Sequence, residues 1–433
     1  MMEKIKAEDL LNYRMLSDVQ YAPDCRKFAF LVKQASQDGD TYDSSLWLSE
    51  NGKVRQLTDG SPVDRFFWEG NGYILFSAIR DEADQEAVKH KIPGTSFYRL
   101  DIKSGKIRKA FRLPVNVTGI RRVDDQHVIF MAKVDAMDPD AYKKGEVEQK
   151  ATALRREQSG DVHVFDETPF WLNGQGITNK TRDGLFLYTL STGELRRVTD
   201  AGMSVRACTV WKNDIIYIGC SYETKWSPYQ SIYHYETKTG KTRVIYDGGG
   251  YRFRNLECLG EKLIVKALER DSEYGLGSAG YFFEIRPDTG EILPFCGNDA
   301  VVGSSVGSDC RLGGGTVMKQ YGDRLYFIAT IRNSGVLCSL SPEGSFEIVF
   351  DKEGSMDSFD IDTENGILTA VCLYDGRLQE LYQISLSTGE LTRLTNFNGK
   401  ALENRYVAEV RGFTFRSGDR DIDGFVLLPK DFD

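Results

Sequence analysis

Ser231 to Glu236 and Lys241 to Tyr246 are two short β-prone runs joined by Lys238-Thr239-Gly240. Val205 to Trp211 and Asp214 to Cys220, joined by Lys212-Asn213, precede them and complete a set of four. Val, Ile, Tyr and Thr suit a pleated, half-buried surface, and Gly and Asn supply the turns between runs. The four runs predict one four-stranded antiparallel sheet. A lone sheet of this size leaves both faces in water, so it needs neighbours to stack on.

The neighbours are legible in the same way. Turn signatures of the Thr-Gly-Glu or Ser-Gly-Lys type place glycines at Gly52, Gly105, Gly193, Gly240, Gly290, Gly344 and Gly389, at intervals of 53, 88, 47, 50, 54 and 45 residues. A period near fifty residues is the sign of a repeat architecture. The expectation is therefore an all-β chain: a seven-bladed β-propeller of four-stranded antiparallel blades over residues 17–398. A helical segment (1–16) precedes it, with Leu10, Leu11 and Met15 on one helix face, and a terminal hairpin (399–433) follows. The stretched interval marks a helical/loop insertion in blade three at about 135–183. It holds the helix-favouring stretch Tyr142 to Gln158 and the aromatic pair Phe170 and Trp171. Insertions this long in compact domains carry function or stay disordered, and packing against the outer strand of blade three is the plain alternative for the two rings.

Composition narrows the function. Lys+Arg 55 against Asp+Glu 64 gives a net charge of -9 with no basic block, so the electrostatic footprint of a nucleic-acid binder is missing. No run approaches the ~18 apolar residues of a membrane span, and Met1 to Asp9 has no signal-peptide character, which gives a cytoplasmic reading. The eight cysteines lack any CxxC pair and read as buried thiols rather than disulfides or zinc ligands. Asn116 and Asn179 match the glycosylation acceptor pattern, which has no consequence without a secretory signal.

No catalytic or metal-binding set emerges. Gly303-Ser304-Ser305-Val306-Gly307 fits G-x-S-x-G, but a nucleophile elbow needs a helix after the Ser and a His downstream, and the last histidine is His234. His90, His127, His163 and His234 lack metal-ligand spacing. Asp419 to Gly424 resembles half a calcium loop but has Lys430 where the bidentate Glu belongs. No phosphate-binding loop pattern occurs, and no cofactor is expected.

Three stretches resemble a known family: Glu8-Asp9-Leu10-Leu11 with Ser17-Asp18 and Tyr21-Ala22-Pro23-Asp24; Glu167-Thr168-Pro169-Phe170-Trp171-Leu172-Asn173-Gly174; and Asp423 to Asp433. Together they are similar to the N-terminal half of bacterial acylaminoacyl peptidase-like serine peptidases of the prolyl oligopeptidase family. The resemblance implies a propeller that caps a C-terminal α/β-hydrolase domain of the same polypeptide and admits short or N-acylated peptides. That domain is absent here, so the chain reads as a truncated portion onto which no catalytic residue carries over. A serine nucleophile on one domain and a size-excluding ring on another is a sensible division of labour. Arg155, Arg156, Glu167 and Trp171 in the insertion are the candidate gating or interface residues, since Arg and Trp are enriched at binding hot spots. Solvated helix surface for the arginines and core for Trp171 are the alternatives. A homo-oligomer is compatible with this reading. A free-standing propeller serving as an interaction scaffold or binding module remains the other function open to the chain.

Overall fold

The computed structural model describes residues 2–37, 39–158, 160, 162–306 and 310–432. Among them, seven four-stranded antiparallel units follow one another, spanning residues 14–56, 66–113, 116–197, 203–246, 251–296, 318–350 and 354–393. We number these units one to seven. In each, strands pair in chain order, as in unit four: Met203–Trp211, Asp214–Ser221, Ser231–Tyr235 and Thr242–Tyr246. Units six and seven are joined into one sheet by a single parallel bridge, Gly335 to Ser355, and a short strand Val301–Val302 pairs with unit six.

All seven turn glycines lie between the third and fourth strands of a unit with φ between 68° and 84°. That left-handed conformation is strained for any residue with a Cβ, which is why the signature repeats as glycine. Gly240 shows the geometry: its N–H donates to Glu236 O at 2.8 Å while Glu236 N donates to Lys241 O at 2.9 Å.

The apolar runs bury between units rather than within them. Seven core clusters each draw on two consecutive units, from Leu31 and Leu46 against Phe66 and Ile74, through Ile216 and Ile218 against Phe253 and Val265, to Ile328 and Leu337 against Met356 and Phe359. The seventh joins the ends of the series: Leu16, Phe28 and Phe30 of unit one pack with Val371 and Leu381 of unit seven. Each end unit takes all four strands from its own stretch of chain, so side chains rather than a shared strand hold this seam.

Three local features differ from expectation. The helical part of the segment before unit one is the 3-10 stretch Ala7–Asn12, and Met15 is a buried residue of the strand Arg14–Tyr21, which pairs with Lys27–Ala35. Leu10 is exposed, and the buried residue of that turn is Asp9, which accepts from Lys6 N at 2.9 Å and Arg405 Nη2 at 2.8 Å. Of the eight free cysteines only Cys220, Cys338 and Cys372 are buried; the rest are half-buried.

Residues 136–180 lie between the second and third strands of unit three, His127–Asp135 and Thr181–Thr189, and include the helix Glu146–Gln158. The exit is a two-stranded hairpin, Val410–Ser417 with Arg420–Leu427, exposed along almost its whole length. Just before it, Arg405–Tyr406 pairs in parallel with Glu3–Lys4, so the segments before unit one and after unit seven lie side by side there. Among the described residues no helix is long and apolar enough to cross a membrane.

Candidate functional site

The closest approaches between consecutive units involve their first strands, and a belt of polar contacts links those strands in order. Trp68 Nε1 donates to Gln20 O (3.0 Å), joining units two and one, and Arg122 Nη1 donates to Trp68 O (2.7 Å), joining three and two. Arg121 reaches across unit four to unit five: Nη1 donates to Thr209 Oγ1 at 2.6 Å and Nη2 to Glu257 Oε2 at 2.8 Å, and Thr209 itself donates to Glu257. Gly260 N donates to Gln320 Oε1 (2.9 Å), linking five to six; Lys319 pairs with Asp360 of unit seven; and Tyr21 N returns to Asp360 Oδ2 at 2.7 Å. Side-chain contacts therefore run from one unit to the next near their first strands, several of them made by charged groups.

Several first strands carry a β-bulge at similar depth. Register slips between Ser17 and Gln20, Val117 and Gly119, Val205 and Ala207, Phe253 and Asn255, and Met356 and Ser358. An inserted residue re-aims its side chain out of the alternating pattern. The residues so placed include Asp18, Arg206, Arg254 and Asp357, all charged.

Asp18 is the clearest electrostatic consequence. It holds a left-handed φ of 55°, its amide donates to Gly314 O at 2.8 Å, and its carboxylate accepts from Gln20 Nε2 at 3.1 Å. Burial pushes its carboxyl up to about 6, against the opposing pull of Gln20 and Arg65. Because the folded value lies above the ordinary 3.8, the native state binds more protons between those pH values, so stability falls as pH rises from about 4 to about 6. Asp18→Asn, which tolerates the same backbone, should remove that fall, a relative gain on the order of 1–3 kcal/mol at pH 7. Urea midpoints at pH 4 and pH 7 for both proteins check this; an unaltered pH dependence in the variant refutes it.

The residues singled out in the insertion separate into two kinds. Arg155 and Arg156 lie exposed on the helix Glu146–Gln158, where Arg155 Nη2 donates to Thr152 Oγ1 and Arg156 pairs with Asp135. Trp171 is 54% exposed, so it is not core, and with Phe165, Phe170, Leu172 and Ile177 it makes an apolar patch in which the Phe165 and Phe170 rings stand 4.8 Å apart. Glu167 is different. Its carboxylate is enclosed and bidentate on Arg182, at 3.2 and 2.8 Å, with the Arg182 guanidinium 3.6 Å from the Tyr222 ring centre. Thr168 N donates to Thr224 O and Trp226 N to Thr168 O, so this stretch is clamped onto the 222–226 loop of unit four. Glu167 anchors the excursion, and the patch beside it faces outward.

Ser305 donates or accepts with Thr330 Oγ1 at 2.9 Å in the loop after Val301–Val302; Gly307, Ser308 and Asp309, which complete that motif's surroundings, lie outside the described residues. Composition alone hides Arg182, Arg121 and the bulge residues, because nothing local distinguishes them from solvated surface charges.

No known family profile matches the chain. An uncharacterized peptidase of Bacillus subtilis (strain 168), YuxL, is 23% identical over 203 residues, 46% of this chain and 28% of its own length. The acylaminoacyl peptidase of Pyrococcus horikoshii superposes over 100% of the chain with a TM-score of 0.72 at 14% identity, and this chain covers 60% of it. A puromycin-hydrolyzing peptidase of Mycobacterium tuberculosis gives 0.62 at 12% identity, with 61% of it covered. The β-propeller domain of the trilobed protease from Pyrococcus furiosus gives 0.57 at 13% identity, with 97% of that domain covered. This chain thus spans under a third of the curated relative and about three-fifths of the longer solved peptidases. Identities this low establish the fold, and the chain is a β-propeller like those of these peptidases.

Proposed function

We propose that the seven units are the blades of one closed ring. In this reading the ring is the propeller part of a serine peptidase acting on short or N-acylated peptides, and it excludes larger substrates by size. The catalytic groups belong to an α/β-hydrolase part of the same polypeptide. The observation that carries this reading is the superposition of the whole chain on 60% of an acylaminoacyl peptidase. The exit hairpin supports it: Phe413, Phe415, Phe425 and Leu427 are exposed, and a two-stranded hairpin with apolar rings in water needs a covering partner. The belt of charged side chains around the axis supports a polar passage suited to peptide main chain rather than an apolar pocket.

In this reading the outward patch at Trp171, with Arg155 and Arg156, gates access or meets a second copy, and Glu167 holds it in place. The test uses the full-length gene product. Fluorophosphonate should label it outside residues 1–433, and acyl-peptide hydrolysis should fall at least about tenfold between peptides of a few residues and a folded protein. Deleting residues 140–165, which spares Glu167 and Arg182, should change that length dependence or the oligomer size. Labelling within 1–433, or equal rates on peptide and folded protein, overturns the peptidase reading. The exposed aromatic patch is what favours the second reading, a free-standing interaction scaffold; that reading requires an unlabelled gene product.

A further inference from the structure

We propose that Arg206, Arg252 and Arg254 form a carboxylate-binding subsite on the axial side of units four and five, which selects peptides by a free carboxylate. The inference rests on the peptidase reading for its ligand class and on the geometry for its chemistry.

Arg206 and Arg254 are the bulge residues of adjacent first strands, Met203–Trp211 and Tyr251–Leu259, which pack directly on one another. Each is the fourth residue of its strand, so the two bulges sit at the same depth, where an extra residue takes its side chain out of the alternating pattern. Arg252 lies two residues before Arg254 on that strand. Burial, then the charge of Arg252, then that of Arg206 draw the Arg254 guanidinium below its ordinary value. Arg254 is tethered by Nη2 to Ser278 O at 3.1 Å, and its buried Nε has no partner. Behind it the fully buried Lys266, opposite Asn255, donates to Asn298 O at 2.8 Å and is drawn down to about 8 by burial, with Asp299 opposing and Arg254 adding to the effect.

What sets this cluster apart is the lack of an internal counter-ion. Elsewhere on the axis cations meet acids: Arg121 with Glu257, Arg311 with Asp357, Lys319 with Asp360. Glu257, on the same strand as Arg254, is engaged by Arg121 and Thr209. Among the described residues no carboxylate forms an ion pair with Arg206, Arg252 or Arg254, in a chain that is acidic overall. Like charges held together destabilise a fold and persist at sites where a ligand supplies the missing charge. The planar fork of arginine fits a carboxylate in two-point fashion, which distinguishes this ligand from a generic anion. A peptide offers that group either at its C-terminus or on an Asp or Glu side chain.

The test is equilibrium binding of the 433-residue chain to a fluorescein-labelled tetrapeptide in three forms: free C-terminal acid, C-terminal amide, and an amide carrying one Glu. The free acid should bind at least tenfold more tightly than the amide, and that preference should shrink with added NaCl. R206Q and R254Q should each abolish most of it, bringing the affinity for the free acid close to that for the amide. R206Q relieves repulsion and breaks no hydrogen bond seen among the described residues, so its unfolding midpoint should hold or rise, which separates loss of the subsite from loss of the fold. Equal affinity for acid and amide, an acid preference untouched in both variants, or no binding of any form overturns the subsite. The Glu-containing amide decides between the two sources of the carboxylate. None of these outcomes alters fluorophosphonate labelling of the full-length gene product, so the subsite and the peptidase reading fail independently.

Discussion

Arg182→Ala is expected to destabilise the protein by about 3–5 kcal/mol, the range for breaking a buried ion pair by removing one partner. The side chain is 1% exposed, and all five guanidinium donors are used: Nε to Gly202 O, Nη1 to Glu167 Oε1 and Thr181 O, Nη2 to Glu167 Oε2 and Tyr222 O. Alanine would leave the enclosed Glu167 carboxylate with Lys180 as its remaining cation, 3.9 Å away, and would strip donors from three carbonyls. Arg182→Lys should recover little, because an ammonium cannot reproduce the fork. Glu167→Ala should cost a similar amount, and the double change less than the sum by about 2 kcal/mol, since the two residues act as one unit. Urea unfolding measures the cycle, and limited proteolysis within 140–180 reports release of the excursion. A loss under about 1 kcal/mol for Arg182→Ala would remove the anchor role.

Phe30→Ala should cost about 3–5 kcal/mol, as for large buried aromatics elsewhere. Its location makes the consequence distinctive. Phe30 is fully buried at the seam of units one and seven, with Phe397 6.0 Å away edge-on and Trp47 4.9 Å beyond it. No shared strand closes this seam. Besides packing, it is held by Leu16 N on Gln379 Oε1 (2.8 Å), Arg14 N on Asn398 Oδ1 (2.8 Å) and Tyr21 N on Asp360 Oδ2 (2.7 Å). Phe130→Ala, an equally buried ring between units two and three, is the control of matched size. Amide exchange should accelerate in Arg14–Tyr21 and Gly354–Asp362 for the first variant and not for the second. Equal exchange at the seam in both variants would mean that closure does not depend on these side chains.

Some of this architecture is local and some is not. The glycine turns were readable because a hairpin turn constrains only a few consecutive residues, and a positive φ at its last position excludes nearly everything but glycine. Unit four was readable because its runs are rich in Val, Ile, Tyr and Thr and are bounded by turn residues at Lys212-Asn213 and Lys238-Thr239-Gly240. The helix Glu146–Gln158 was readable from propensity, its start shifted to the C-terminal side by the 3-10 turn Ala141–Lys143. Trp171 and Glu167 were read as one kind of residue, yet four positions apart one lies in water and the other is enclosed. Residue type does not reveal that Arg182, fifteen residues on, will close over the carboxylate.

By itself, then, the sequence determined the strand-rich class, the repeated turns and the place of the excursion. Each of these follows from backbone preferences acting over five to ten residues. The tertiary structure alone decided which charges meet: Arg121 finds Glu257 across 136 residues, while Arg206 and Arg254 form no ion pair with an acid among the described residues. The physical reason lies in the bulges. One extra residue in a strand shifts the alternation and re-aims the side chain there, and a residue is extra only relative to the partner strand it pairs with.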